Sequence, residues 1–232
     1  MNDRLQPVFA GGAGSGALTG ERNRVLRNTY WLLALSLVPT VLGAWIGVST
    51  GIVASLGVGV STIVFLVGAF GLMFAIEKYK NSGVGVALLL GFTFFMGLML
   101  SRMLSAVLGL ANGSSLIMMA FGGTAAVFFA MASLSTVIKR DLSNMGKFLF
   151  IGAIMLLVAG LINVFVQSSA LMVTVAVLAI GIFSAFMLYD LKRIIDGGET
   201  NYVSATLALY LDIYNVFQSL LALLGIFGGE RE

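Results

Sequence analysis

LIMMAFGGTAAVFFAMASLSTV, residues 116–137, carries no charged side chain over its whole length. A helix needs about 20 apolar residues to cross the ~30 Å hydrocarbon core of a bilayer. Read as a helix, this run fits that length. Reading outward, the same pattern recurs at Asn28–Val48, Ile52–Ile76, Val84–Leu100, Phe148–Val166, Ala170–Tyr189 and Val203–Phe227. A β-barrel would show segments of about 10 residues alternating polar and apolar. These runs are continuous and about twice that length, so the reading is a seven-helix bundle whose backbone groups are satisfied within each span.

Composition agrees. Of 232 residues, 59% are hydrophobic and 10% charged, with a mean hydropathy of +1.04. Soluble domains carry about 25% charged residues. There is no cysteine and no histidine. That removes disulfides, thiolate metal sites, a histidine general base and the Ser–His and Cys–His nucleophile pairs. The chain is expected to hold no resident cofactor, to bind no nucleic acid and to have the lipid bilayer as its main partner, with a monomer favoured.

Residues 1–27 read as a flexible polar tail, 28–228 as the transmembrane domain and 229–232 as a short C-terminal tail. No apolar segment precedes the first span, so no cleaved signal peptide is expected. The glycines at 11, 12, 14 and 16 follow no strand and no Gly-Lys-Ser/Thr closes them, so they read as tail and not as a phosphate loop. With seven spans, eleven of the positive charges fall on one side: Arg4, Arg22, Arg24, Arg27, Lys78, Lys80, Lys139, Arg140, Lys147, Lys192 and Arg193. Only Arg102 and Arg231 fall on the other. The positive-inside bias puts the N-terminus in the cytoplasm. Asp212 interrupts the last span, and charge alone leaves open whether that segment crosses or re-enters.

Gly43, Gly47 and Gly51 repeat every four residues, a spacing that lets helix backbones approach closely inside the monomer. Pro39 is expected to kink the first helix. Asn163 and Gln167 read as helix–helix hydrogen-bonding residues, and Arg102 as a snorkelling side chain.

Eight of the ten acidic residues lie in tails or at loop edges. Asp190, closing the sixth span, and Asp212, well inside the seventh, do not. A charge within the bilayer costs several kcal/mol on most scales and normally faces the bundle interior. Ser204, Ala208, Asp212, Asn215 and Ser219 recur at helical spacing as a small, polar stripe, with Leu207, Leu211, Phe217, Leu221 and Leu224 assigned to the other faces. The two helices are antiparallel neighbours joined by a tight connection, so both carboxylates sit in the cytoplasmic half. Two carboxylates together in low dielectric do not both ionise readily. Such a pair shares a proton and can respond to pH. Ionised, Asp190 and Asp212 offer hard oxygen ligands suited to transient binding of Ca²⁺. The plainer reading is that each aspartate bonds a neighbouring helix or a cation such as Lys192 or Arg193.

These residues resemble a known family. Tyr189-Asp190-Leu191-Lys192-Arg193-Ile194, Gly197-Gly198-Glu199-Thr200-Asn201-Tyr202, Leu209-Tyr210-Leu211-Asp212-Ile213-Tyr214-Asn215 and Ser219-Leu220-Leu221 look like the C-terminal signature of the Bax inhibitor-1 family, most of all its bacterial YccA-type branch. Val25-Leu26-Arg27-Asn28-Thr29-Tyr30 and Lys78-Tyr79-Lys80-Asn81-Ser82 fit as well. The resemblance implies seven helices with a central last helix wrapped by the other six. It implies a multi-pass protein of a bacterial inner membrane and a pH-sensitive leak of cations, mainly Ca²⁺ as permeant ion, gated by Asp190 and Asp212. In some relatives a basic residue of the second helix latches the aspartates. The nearest candidate is Lys78, with Glu77 beside it. The branch also implies a partner, an FtsH-type AAA protease that the protein restrains. An intramembrane aspartyl protease is a minor alternative. Asp212 follows Leu209-Tyr210-Leu211 instead of Gly-x-Gly, and no proline occurs after Pro39, so an enzyme is not expected. A secondary transporter would show internal repeats and paired broken helices, and neither is evident.

Overall fold

The structure, a computed structural model, describes residues 12–229. The tail charges Asp3, Arg4, Glu230, Arg231 and Glu232 lie outside the described residues. Eight helices follow one another: α1 (Gly12–Thr50), α2 (Ile52–Ser55), α3 (Gly57–Tyr79), α4 (Gly83–Leu108), α5 (Gly113–Val137), α6 (Met145–Val166), α7 (Ser169–Ile195) and α8 (Tyr202–Phe227). All but α2 contain a stretch long and apolar enough to cross a membrane. Large apolar side chains cover the outside, among them Trp31, Phe74, Phe148 and Phe165, the last 87% exposed. A water-soluble surface would not carry these at such density.

The second run contains a break that hydropathy does not register. Gly51 (φ +65°) and Gly57 (φ +70°) take left-handed backbone, so α2 is a single turn set off from α3. Glycine carries no Cβ penalty there. Of the three spaced glycines, therefore, Gly51 lies just past the end of α1. Gly43 and Gly47 do pack: a Cβ at Gly43 would strike the Phe94 carbonyl, and one at Gly47 the side chain of Ser101. Gly97 in α4 answers them, since a Cβ there would strike the Thr40 carbonyl. The most extensively packed helix pair in the bundle, α1 and α4, thus meets at glycine on both sides.

The helical part of α1 extends into what the sequence suggests is tail. Val25 and Thr29 are buried against the bundle, and Thr29 Oγ1 donates to the Val25 carbonyl at 2.8 Å. Val25 and Leu26 therefore pack on the bundle, while Arg22, Asn23, Arg24 and Arg27 are exposed on the same helix. Pro39 lies within α1 without ending it.

α8 is central. It packs against α1, α3, α4, α5 and α7, while α6 lies outside and packs on α7. Its close partners are thus five of the other helices. Its 26 residues are unbroken, about 39 Å at 1.5 Å per residue, long enough for a full crossing and without the break of a re-entrant loop. Both ends are tied. Asn201 caps the N-terminus, accepting from the Val203 and Ser204 amides at 2.9 and 3.2 Å. At the other end Asn112 Nδ2 donates to the Gly228 carbonyl at 2.6 Å.

The same chain geometry sets two local details. Asn163 Oδ1 accepts from the Ser168 amide at 2.9 Å, and Gln167 takes left-handed backbone (φ 51°). Both shape the α6–α7 turn and do not bridge helices as expected. Arg102 reaches Ser61 on α3 at 3.4 Å.

Candidate functional site: an aspartate pair behind a charged cavity

Short connections make successive spans antiparallel, so the 80–82, 138–144 and 196–201 connections share one face of the bundle. Asp190 sits five residues from the end of α7 and Asp212 ten residues into α8, about 8 and 15 Å along their helices from that face. α7 and α8 are the most extensively packed pair of sequence neighbours, and their packing brings the two carboxyl groups within hydrogen-bonding reach of each other. Asp212 is 4% exposed, and its Oδ2 finds no donor. A buried carboxylate oxygen without a donor is expensive. A proton on one aspartate, donated to the other, removes that deficit.

A cavity of about 340 Å³ opens on the same face and reaches Asp190. Its walls come from the ends of α3, α7 and α8. Glu77, Lys80, Arg193, Glu199 and Ser204 supply its polar groups, and Leu207, Ala208 and Leu211 its apolar wall. Asp212 lies behind it. Leu207 and Leu211, expected on faces away from the polar stripe, line this cavity with Ser204. A helix enclosed by five others has no outer face to give them.

The charged groups at the mouth are paired. Lys80 Nζ donates to Glu77 Oε2 at 2.8 Å. Arg193 meets Glu199 Oε2 at 3.4 Å, and its charge also acts on Asp190 one turn back. Lys192 turns to Asp196 at 2.7 Å. Lys78 is exposed, its ammonium 5.6 Å from the centroid of the Tyr79 ring and absent from the cavity wall. Of the stripe, Asn215 Nδ2 donates to its own helix at the Leu211 carbonyl (2.8 Å), and Ser219 is buried.

The α7–α8 connection holds this geometry. Gly197 has φ +81°, and the Arg22 guanidinium lies where its Cβ would be. Asn201 Nδ2 donates to Asn81 Oδ1 at 2.7 Å and to the Lys80 carbonyl at 3.3 Å. The Asn201 amide donates to Glu199 Oε1 at 2.9 Å. One asparagine thus joins the cap of α8 to the α3–α4 turn and to the cavity mouth. Deeper in the bundle Tyr210 Oη meets Thr40 Oγ1 at 2.9 Å, and Tyr214 Oη donates to the Met96 carbonyl at 3.3 Å. Of the two cations that the sequence offers as partners of the aspartates, Arg193 stands one turn along the same helix face from Asp190 and acts on it, while Lys192 turns away. Lys80, Glu199 and these tyrosines carry no such signal in the sequence.

Among the described residues no group of three or more acidic, histidine or cysteine side chains converges as a metal site would.

Comparison with known proteins gives a consistent picture. The family model described as "Inhibitor of apoptosis-promoting Bax1" matches residues 22–229. An uncharacterized membrane protein of Vibrio cholerae is 40% identical over 212 residues, covering 90% of this chain and 92% of that one. The Escherichia coli protein named "Modulator of FtsH protease YccA" is 37% identical over 203 residues, covering 88% and 90%. A counterpart in a second Escherichia coli strain, named "Inner membrane protein YccA", matches to the same extent.

Proposed function

The chain belongs to the Bax inhibitor-1 family, and from that premise we propose that it is a pH-sensitive cation leak, with Ca²⁺ as the main permeant ion, governed by Asp190 and Asp212. One observation carries the reading. A fully enclosed carboxylate oxygen on Asp212 lacks a donor and lies beside Asp190, behind a cavity that opens at the face with most of the basic loops. A shared proton makes the pair a hydrogen-bonded contact between α7 and α8. Its loss leaves two like charges in low dielectric, which repel and seek a cation. The pair is then both the proton sensor and a ligand set of hard oxygens for an ion in passage.

The same reading puts the protein in the inner membrane, in keeping with the name of its Escherichia coli relative. It puts the N-terminus in the cytoplasm, on the charge bias of eleven against two. It assigns no catalytic residue. The test is Ca²⁺ flux from vesicles containing the purified protein, measured across pH. Flux that varies with pH in the wild type and loses that variation in Asp190→Asn and Asp212→Asn supports the reading. Identical flux in all three would sink it.

A second reading is favoured by one finding, the name of the Escherichia coli relative: restraint of an FtsH-type membrane protease. It predicts co-purification with that protease and slower turnover of its substrates when the protein is overproduced. Unchanged turnover counts against it. The two readings are compatible, and only the first depends on the aspartates.

A further inference from the structure

The cavity stops one helical turn short of Asp212. Ser204, Ala208 and Asp212 stand at i, i+4 and i+8 on α8, and so share one face of that helix. The first two line the cavity. Asp212 does not, and its Oδ2 is sealed from solvent. Asp190 is the member of the pair that the cavity reaches. Along α8, the side chain between the open space and Asp212 is therefore the single methyl group of Ala208, about 6 Å from it in helix rise.

The groups around Ala208 are larger. α7 and α8 run antiparallel, and each has a residue one turn nearer the mouth than its aspartate: Ile194 on α7 and Ala208 on α8. Both line the cavity, yet Ile194 is 1% exposed and belongs to the main core. Leu207 and Leu211 flank Ala208 on its own helix and complete the apolar wall. Ala208 is the smallest of these four groups. Helical side chains lean toward the N-terminus of their helix, which for α8 is the mouth of the cavity. A longer side chain at 208 therefore grows into the cavity, beside Asp190, and away from Asp212.

We propose that Ala208 sets the width of the cytoplasmic entrance to the aspartate pair: its methyl group leaves the cavity open as far as Asp190, and a larger side chain there closes it. A passage walled by apolar groups empties of water, and of hydrated ions, once it becomes too narrow, as hydrophobic constrictions in channels do. Ile194, Leu207 and Leu211 supply three such walls, and the residue at 208 decides how much room they leave. Ala208 neither holds a proton nor binds an ion. It decides what reaches the two groups that do. This role rests on the leak reading of Asp190 and Asp212. It also accounts for the one apolar member of a stripe that is otherwise polar: the position requires a small side chain, not a hydrogen-bonding one.

The chain has no cysteine, so Ala208→Cys places a single thiol at the entrance, and the protein folds before anything bulky is attached. The test is Ca²⁺ flux from vesicles holding the full-length variant, measured across pH before and after reaction with benzyl methanethiosulfonate, and again after reduction with dithiothreitol. The thiol reacts, the label abolishes pH-dependent flux, and reduction restores it. Methyl methanethiosulfonate, which adds a smaller group, lowers the flux but leaves its pH of half-maximal rate in place, because the pair itself is untouched. Lys139→Cys, on the exposed α5–α6 connection, is labelled without effect. An unreactive thiol at 208, or flux unchanged by the benzyl label, would overturn the proposal and leave the leak reading standing. So would a shifted pH of half-maximal rate with no loss of maximal flux, which would show that position 208 acts on the pair and not on access to it. Absence of flux from wild-type vesicles at every pH would remove the leak reading, and the role of Ala208 with it.

Discussion

Asn201 Nδ2 donates to Asn81 Oδ1 across 2.7 Å, joining the first turn of the central helix to the connection between α3 and α4. The same side chain accepts from two amides of α8 and so serves as its N-cap. Three of the groups that form the cavity, Glu77, Ser204 and Glu199, are within a few residues of this clamp.

Asn201→Ala therefore removes a cap and a tertiary bond together. Loss of an N-cap typically costs ~1 kcal/mol, and the neutral bond to Asn81 adds about 0.5–1 kcal/mol. Asn201→Asp keeps the acceptor for the Val203 and Ser204 amides and loses only the donor. Thermal unfolding in detergent is expected to rank wild type above Asn201→Asp, and Asn201→Asp above Asn201→Ala. Asn81→Ala is expected to fall near Asn201→Asp.

The hydroxyls of Tyr210 and Thr40 meet at 2.9 Å, and Tyr210 Oη also lies 3.4 Å from the Thr93 carbonyl. Tyr210→Phe keeps the ring, which stacks on Tyr214 at 6.1 Å and meets Phe92 edge-on at 6.0 Å. Its cost is that of one interhelical hydrogen bond in a membrane protein, about 0.6 kcal/mol. Tyr210→Ala empties a fully enclosed site and costs about 3–5 kcal/mol. Unfolding in denaturant or a thermal series separates the two. Equal losses would show that the hydroxyl, not the ring, holds α8 to α1.

Glycine substitutions sort by contact. A methyl at Gly97 meets the Thr40 backbone, which cannot move aside without displacing α1. Gly97→Ala is expected to destabilise by about 1–3 kcal/mol, and Gly43→Ala similarly. Gly91 has nothing within 4 Å of its would-be Cβ. Gly91→Ala is expected to be neutral or to stabilise by about 0.5–1 kcal/mol, since alanine restricts the unfolded chain. Yield of monodisperse protein and its melting temperature check both.

Lys80 is held above its ordinary value of 10.5, first by its hydrogen bond to Glu77. At any pH below that range the ammonium is more fully protonated than a free lysine, and so less nucleophilic. Acylation of Lys80 by an amine-reactive ester is expected to be slower than that of Lys139, and to speed up in Glu77→Gln. A rate insensitive to that change would show that the pair does not persist in solution.

Much of this molecule is legible along the chain. Seven apolar runs, the glycine pairing of α1 and the odd placement of Asp190 and Asp212 all show in the sequence, because hydropathy and helical spacing are sums over neighbours in one dimension. The runs differ from the structure where backbone conformation intervened: Gly57 splits the second run, and α1 continues N-terminally past Asn28 with Val25 buried. Asn163 shows the same limit. Its residue type announces a hydrogen bond, but only its place at a turn decides that the partner is the Ser168 amide and not another helix.

What the sequence determined by itself is which segments cross the membrane and that two carboxylates lie within the last two of them. Only the tertiary structure decided that those carboxylates meet, that Glu77, Arg193 and Glu199 stand at one cavity with Ser204, and that Tyr210 and Asn201 bind helices more than a hundred residues away. Each residue turns a helix by about 100°, so which side chains meet depends on the rotation and depth of whole helices. Those are set by packing across the bundle, a quantity that no local stretch of sequence contains.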